Sequence, residues 1–127
     1  MHEYQRVDSE SWLCTDTLFF HLPPAPCDAN FDLSVGVRTS DMIDVRDLWL
    51  VMESRTDIRH RDTLHILLAS DRAHWKTHGV VLHEVEQHAT VLHLDSAQKA
   101  DVLIYHIMSP QSIRGLTEVG IKVSPHK

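Results

Sequence analysis

Histidine is the residue type in this sequence that most invites a test for chemistry. The chain has 11 histidines, and an imidazole can ligate a metal ion or move a proton near neutral pH. His74 and His78 have the four-residue spacing that places two metal ligands on one face of a helix. Trp75, Thr77 and Gly79 indicate a loop there instead.

A second group of histidines recurs every five residues, at His83, His88 and His93. This spacing alternates faces on a strand and drifts off one face on a helix. Neither geometry brings three imidazoles to one ion. We therefore predict no metal site and no cofactor, and expect most of the histidines to face solvent.

Paired carboxylates are the next candidates for chemistry. Glu84 and Glu86 share a face if they lie on a strand, and Asp44 and Asp47 share one if they lie on a helix. Charged pairs at these spacings belong more often to a solvated surface than to a cleft. The sequence has no Gly-x-Ser-x-Gly elbow, and its four glycines are too dispersed for a phosphate loop. A Ser-His-Asp set stays open, but no residue is predicted to be catalytic.

The three tryptophans, Trp12, Trp49 and Trp75, are the remaining candidates for a binding site. An exposed indole can stack on a sugar ring, although a tryptophan in a small β-domain more often fills the core or its edge. Trp75 and Trp49 are the candidate ligand-stacking residues. One interpretation of the chain is therefore a carbohydrate-binding module.

The bulk composition limits the class of partner. With 127 residues, 43% hydrophobic and 24% charged, the chain is long enough for one domain with its own core. Its formal net charge of −6 disfavours nucleic acid and anionic lipid surfaces, because both select basic faces. No apolar run reaches the roughly 18 residues that span a bilayer, and no signal-peptide core follows Met1.

The two cysteines, Cys14 and Cys27, are expected to be separate thiols. If Thr17 to Leu22 is extended, the chain cannot return far enough to bring the two Cα atoms within the roughly 7 Å that a disulfide allows. A disulfide stays open as the alternative, so the cysteines do not assign a compartment.

Short apolar segments between turn signals predict an all-β fold. In the clearest, Phe31 to Arg38, apolar residues occupy every second position, as a half-buried antiparallel strand requires. Thr17 to Leu22 and Leu64 to Ala69 have similar strand character. Tyr4 and Trp12 are expected to cover an edge of the core. About eight or nine such segments, with no repeat or linker, predict one antiparallel sandwich or barrel over residues 1–127.

Two segments are harder to assign. Ser40 to Glu53 has apolar residues at helical spacing, but its second half is a continuous apolar run that fits a strand equally well. Val80 to Leu94 fits either one helix or two short strands divided by Glu86-Gln87-His88. The charged link Ser54 to Asp62 is expected to be a solvated turn.

The stretch from Ala100 to Val123 has the plainest pattern of strand, break and strand. Val102 to Met108 is apolar on both faces apart from His106, which places it in the interior. Leu116 to Val123 is a second strand, in which Gly120 marks a bulge or a close backbone approach. We expect these two strands to lie in the core.

The order of motifs along the chain resembles one known family. Tyr4 is followed eight residues later by Trp12. The remaining motifs are Asp16-Thr17-Leu18-Phe19-Phe20, Leu33-Ser34-Val35-Gly36-Val37-Arg38, Asp47-Leu48-Trp49-Leu50-Val51, Asp62-Thr63-Leu64 with Trp75, His106-Ile107-Met108, and Gly115 to Val123. In this order the chain resembles the gliding-motility lipoprotein H family of Bacteroidetes (GldH) over nearly its whole length. The lipobox cysteine of that family is absent from the sequence.

The resemblance implies a β-sandwich of about eight strands, jelly-roll or immunoglobulin-like, and resolves Ser40 to Glu53 and Val80 to Leu94 towards strand. It implies the mature portion of a lipoprotein, whose signal and anchor cysteine lie outside this chain. That lipoprotein would be held in the outer membrane by an N-terminal lipid and would face the periplasm.

The implied role is non-enzymatic and needs no cofactor: an accessory of the gliding machinery and its associated protein secretion. The implied partners are other envelope lipoproteins or components of the gliding and secretion motor, with no nucleic acid. The alternative function is a carbohydrate-binding β-sandwich of the cell envelope, with Trp75 or Trp49 as its stacking residue.

Overall fold

The computed structural model describes residues 2–8, 10–23, 29–39, 47–56, 59–67, 83–94, 100–108 and 112–126. All regular structure in these residues is β-strand. The strands are β1 (His2–Arg6), β2 (Trp12–Leu13), β3 (Leu18–Leu22), β4 (Ala29–Thr39), β5 (Asp47–Arg55), β6 (Arg59–Leu67), β7 (His83–Leu94), β8 (Ala100–His106), β9 (Ser112–Ile113) and β10 (Leu116–Pro125).

The strands form two four-stranded antiparallel sheets and one small pair. Sheet I has the order β1-β10-β4-β7, and sheet II has the order β3-β8-β5-β6. The two-residue strands β2 and β9 pair with each other. The predicted antiparallel sandwich is confirmed, with eight longer strands in its two sheets and two short strands beside them.

One hydrophobic core lies between the sheets. It forms because each central strand carries an apolar side chain at every second position, so that one face of the strand is fully buried. The side chains with no exposed surface include Leu33, Val35 and Val37 of β4, Val119 and Ile121 of β10, Leu48, Leu50 and Met52 of β5, and Val102 and Ile104 of β8.

The two strands predicted from Ala100 to Val123 both lie at central positions, but in opposite sheets. β8 lies between β3 and β5, whereas β10 lies between β1 and β4. Gly115, just before β10, has a φ of 99°, which a glycine adopts without steric strain. The chain therefore crosses from one sheet to the other within this stretch.

The described parts of the two ambiguous segments are strands, as the resemblance implied. Residues 47–55 form β5, and residues 83–94 form the single long strand β7. Glu86-Gln87-His88 does not divide β7, because β7 is an edge strand with an exposed outer face on which polar residues are tolerated. The irregularity in β7 is one residue later, where the register shifts opposite Leu33 and Ser34.

The predicted turn from Ser54 to Asp62 is wrong at both ends. Ser54 and Arg55 continue β5, and β6 already begins at Arg59. The charges fit the sheet because Arg55 and Arg61 both bind the Glu53 carboxylate, at 2.9 Å and 3.5 Å. Cys14 carries a free thiol, and Cys27 lies outside the described residues.

Candidate functional site

Trp49, one of the two predicted ligand-stacking residues, lies on the outer face of sheet II and is 42% exposed. Its indole stacks on the imidazole of His65, with 4.3 Å between ring centroids and 12° between ring planes. His65 is held in turn by Asp47, whose Oδ1 lies 2.7 Å from its Nε2. One face of the indole is thus covered by the imidazole, and its orientation is fixed.

Trp12 does not join Trp49 in a shared platform. Trp75 lies outside the described residues. Trp12 is 1% exposed, and its Nε1 donates a hydrogen bond to the Asp16 carbonyl at 2.9 Å. Trp12 therefore belongs to the core itself, whereas it was predicted to cover an edge of the core.

Trp49 is part of a larger group of apolar side chains, which we call the apolar patch. These side chains share the outer face of sheet II, on which an antiparallel sheet ordinarily carries polar residues. The apolar patch consists of Phe19, Trp49, Val51, Leu103, Tyr105 and Ile107. Phe19 is 52% exposed and Ile107 48%. Val51 and Leu103, in the middle of the patch, are only 5% and 7% exposed. Exposed apolar side chains on one strand surface, such as those of Phe19, Trp49 and Ile107, can mark an interaction surface.

A row of charged side chains borders the apolar patch at one end. Glu53 accepts hydrogen bonds from Arg55 and Arg61. Burial opposes ionisation of Glu53, but these hydrogen bonds and the two positive charges outweigh it and lower the pKa of Glu53. His21 and Asp101 form a second pair, at 2.6 Å. The patch thus has an apolar centre and an ionised border.

A different cluster covers the outer face of sheet I. Tyr4 of β1, Gly120 of β10 and Gly36 of β4 occupy one row across three neighbouring strands. The tyrosine ring lies over both glycines, because an added Cβ would approach its Oη to 2.4 Å at Gly36 and its ring carbons to 2.7 Å at Gly120. Tyr4 was predicted at an edge of the core, and this position is a correction: the ring lies outside the sheet.

The Tyr4 side chain is held by charged groups at its far end. Its Oη donates a hydrogen bond to Glu84 Oε1 at 2.8 Å, and the Arg38 guanidinium lies 3.9 Å from the ring centroid. Arg38 also binds Glu118 at 3.1 Å. Burial, reinforced by the Glu84 carboxylate, raises the pKa of Tyr4. The ring therefore ties β1 to β7 across the full width of sheet I.

The Tyr4 cluster also accounts for the predicted carboxylate pair. Glu84 is bound by Tyr4 and lies 3.8 Å from Arg38, while Glu86 lies 4.0 Å from Lys122. Both carboxylates are therefore used in contacts across the sheet. Two groups poised for acid–base chemistry would instead face a common cleft with separated pKa values.

His106 is the buried histidine among those described with side chains. Its Nε2 donates to the Trp12 carbonyl at 2.8 Å, and its Nδ1 accepts from the Met108 amide at 3.2 Å. The Trp12 indole packs edge-on against the ring, with 4.9 Å between centroids. Burial lowers the pKa of His106. Both ring nitrogens are satisfied in the neutral imidazole, so this residue stabilises the core.

The remaining described histidine side chains face solvent, as predicted. His88 and His126 both contact Asp32 Oδ1, at 3.3 Å and 2.9 Å, and His93 contacts Asn30. Hydrogen bonding by His126, above all, lowers the pKa of Asp32. Within the described ranges, no three His, Cys, Asp or Glu side chains have the geometry of a metal site. His74 and His78 lie outside these ranges.

The Tyr4 cluster was not predicted as a unit, although the sequence motifs contained its members. Tyr4, Gly36, Arg38 and Gly120 all belong to the segments that carried the family resemblance. They meet because β10 lies between β1 and β4 in sheet I. A signal was present: both glycines interrupt otherwise apolar strands, which indicates a close approach by another group.

Comparisons with known proteins agree with that resemblance. In the part of the chain that the structure describes, no helix is long and apolar enough to cross a membrane. Neither a curated protein nor a solved structure was found to match the chain. A family model described as GldH lipoprotein matches residues 1–123. Because the match covers nearly the whole sequence, the chain belongs to the GldH lipoprotein family.

Proposed function

We propose that this protein is a non-enzymatic accessory of the gliding machinery and its associated protein secretion. In this proposal an N-terminal lipid holds it in the outer membrane, and the sandwich faces the periplasm. The observation that carries the proposal is the family match over residues 1–123. A lipoprotein of this kind acts through contacts with other envelope lipoproteins or with motor components.

The apolar patch supports a role in protein contacts. Phe19, Trp49 and Ile107 are each about half exposed on a strand surface, at 52%, 42% and 48%. Apolar and aromatic side chains at the centre with charged groups at the rim are the usual composition of a protein interface. The ionised row of Glu53 and Arg55 supplies such a rim.

Several ionisable side chains are already hydrogen-bonded within the fold, which supports a role without catalysis. Glu84 is bound by Tyr4, Glu53 by two arginines, and His106 by two backbone groups. A general acid or base needs a proton site open to its substrate. Glu53 and His106 are 8% and 0% exposed, so neither presents an open site.

The direct test is deletion of the gene followed by complementation in the organism that encodes it. We expect loss of protein secretion, with loss of gliding if that organism glides, and recovery by the full-length lipoprotein. Membrane fractionation and protease treatment of intact and opened cells then test the outer-membrane, periplasm-facing location. Normal secretion in the deletion strain would refute the role, and fractionation with the inner membrane would refute the location.

Trp49 gives a specific reason to keep carbohydrate binding as a second candidate function. Its indole is exposed and held in one orientation by His65, as a sugar-stacking residue should be. Envelope glycans titrated into the protein should then perturb the NMR signals of the Trp49 indole, and Trp49→Ala should abolish binding. Glycans that leave those signals unchanged would exclude this function for Trp49.

A further inference from the structure

The chain before Trp12 lies outside the hydrophobic core. Trp12, 1% exposed, is the first buried residue among those that the structure describes. Of the described residues that precede it, none is buried, and only Val7 belongs to the apolar side chains that pack against the core, from a partly buried position. Separation of this segment from the sandwich would therefore remove no fully buried side chain from the core.

The end of this segment that adjoins the core is fixed. The Ser11 Oγ lies 2.6 Å from the Ser112 Oγ, and the next residue, Trp12, pairs with Ile113. We call residues 2–10 the N-terminal strap. The strap contains β1 and is joined at its far end to this fixed point.

The backbone of β1 can leave sheet I without breaking that sheet. Its residues pair with β10 from His2 to Arg6, and the Val7 amide donates to the Thr117 carbonyl at 3.0 Å. On its other side β10 pairs with β4 from Leu116 to Pro125. Loss of β1 would thus turn β10 into an edge strand that β4 still holds.

Two side chains of β1 hold the N-terminal strap to other strands. The Tyr4 Oη donates to Glu84 of β7 at 2.8 Å, and the Arg38 guanidinium lies 3.9 Å from the tyrosine ring centroid. The Gln5 Nε2 donates to the Phe19 carbonyl of β3, in sheet II. Both hydrogen bonds are exposed, so water can replace each of them on release. Contacts of this kind open locally at a lower free-energy cost than those of the core.

The glycines under Tyr4 give the N-terminal strap a single docked position. Tyr4 shares its row with Gly120 and Gly36, which leave room for the ring. A shift of β1 by two residues would place the ring over Glu118 and Arg38 instead, whose side chains occupy that space. A shift by one residue would turn the ring to the other face of the sheet. The strap is therefore either docked in this register or released, which gives two discrete states.

We propose that the N-terminal strap is a releasable connection, which separates from sheet I as a unit while both sheets stay folded and redocks through Tyr4. Docked residues 2–6 run along β10 as part of the sandwich. Released and extended, residues 2–10 span up to about 30 Å at ~3.3 Å per residue. This consequence rests on the proposed function, which supplies an N-terminal lipid: release would lengthen the tether between the membrane and the sandwich.

Tryptic cleavage after Arg6 measures the release, because a protease cuts a strand that has left its sheet and the rate then follows the population of the open form. In the folded full chain, mass spectrometry should show cleavage after Arg6 while Arg38, in central β4, stays intact. Tyr4→Ala should speed the Arg6 cut about tenfold, since it removes the hydrogen bond and the guanidinium contact. Tyr105→Ala, which changes the other tyrosine of the chain, is the matched control and should not speed it.

An engineered disulfide between β1 and β10 separates release from general stability. His2 and Lys122 are register partners, and directly opposed residues of an antiparallel pair meet the Cα limit of a disulfide. In a background without the native cysteines, oxidised His2→Cys with Lys122→Cys should slow the Arg6 cut about tenfold or more, and reduction should restore it. Lys122→Cys with Ser34→Cys joins β10 to β4 instead. This control disulfide should leave the Arg6 cut unchanged.

The release is overturned by an Arg6 cut no faster than the Arg38 cut, by equal effects of Tyr4→Ala and Tyr105→Ala, or by equal effects of the two disulfides. None of these results touches the proposed function, which gene deletion tests. In a deletion strain, the full-length lipoprotein with the β1–β10 disulfide should support secretion poorly, and the control disulfide should support it fully. Equal support by both overturns the tether. A gene dispensable for secretion refutes the function and leaves the measured release standing.

Discussion

Tyr4 and Glu84 are joined across the whole of sheet I by a hydrogen bond of 2.8 Å, although they lie on its two edge strands. The tyrosine can reach that far because Gly120 and Gly36 leave its path free of side chains. The contact fastens β1, an edge strand whose backbone pairs with β10 among the described strands. It also gives a physical reason for glycine at two positions inside central strands.

Substitution of Gly36 by alanine should destabilise the protein by about 1–2 kcal/mol, because the new methyl group displaces the tyrosine from Glu84 and Arg38. In a Tyr4→Ala background the same substitution should cost little, since the atoms nearest to the added Cβ are all from Tyr4. Urea unfolding of the four proteins in this cycle measures the coupling.

Gly120 provides the contrast to Gly36. An added Cβ there would lie 2.5 Å from the Glu3 carbonyl oxygen as well as against the Tyr4 ring. Gly120→Ala should therefore remain destabilising in the Tyr4→Ala background. Equal rescue at both glycines would show that the backbone of β1 adapts and that the tyrosine alone does not explain Gly120.

Tyr4→Phe should test the hydrogen bond apart from the ring. We expect a loss of about 1 kcal/mol near neutral pH, from the bond to Glu84. The raised pKa of Tyr4 means that the protonated phenol stabilises the fold below the ordinary value of 10.0. That contribution is lost as pH rises above 10.0, because the unfolded chain then releases this proton and the folded chain does not. Stability measured against pH should therefore fall more steeply in the wild type than in Tyr4→Phe.

His106 should make the protein less stable in mild acid. Burial lowers its pKa from the ordinary 6.5, so the neutral ring stabilises the fold above that value. As pH falls below 6.5 the unfolded state binds the proton first, and the contribution is lost. His106→Gln, which cannot titrate, should be less stable than the wild type at about pH 8, and the gap should narrow towards about pH 5. A gap that widens in acid would contradict the buried neutral imidazole.

Asp32 should also make the protein less stable as the pH falls, but at a lower pH than His106. Its lowered pKa, caused first by the His126 hydrogen bond, means that the carboxylate stabilises the fold above the ordinary value of 3.8. Asp32→Asn should reduce stability at neutral pH, and the deficit should disappear as pH falls through the lowered pKa. Thermal unfolding of both proteins at several pH values checks this, with Asp101→Asn as an exposed control that is also paired with a histidine.

The sequence was sufficient to predict a strand where apolar side chains occupy one face alone. In β4, Leu33, Val35 and Val37 alternate with polar residues, and this pattern fits only a strand with one face in a core. β5 was ambiguous because Val51, on its outer face, is also apolar and only 5% exposed. The apolar patch that obscured the local pattern is the same surface that supports the proposed interactions.

The contacts across each sheet could not be predicted in this way. Tyr4 meets Gly36 only because β10 lies between their strands, and local periodicity contains no information about strand order. The same limit applies to β8 and β10, which are near in sequence but belong to opposite sheets. The resemblance to the GldH family assigned the ambiguous segments to strands, which local periodicity could not do. It could do so because it depends on the order of motifs along the whole chain.

The measurement that tests the central claim most directly is protein secretion in a deletion strain carrying full-length lipoproteins that differ at one residue. Val91 is a similarly exposed residue on a strand of sheet I, at 41%, and serves as the matched control. At equal protein levels, Val91→Thr should restore secretion as the wild type does, whereas Ile107→Thr should restore it poorly. Full restoration by Ile107→Thr, or no requirement for the gene at all, would contradict the claim that this sandwich serves secretion through the apolar patch.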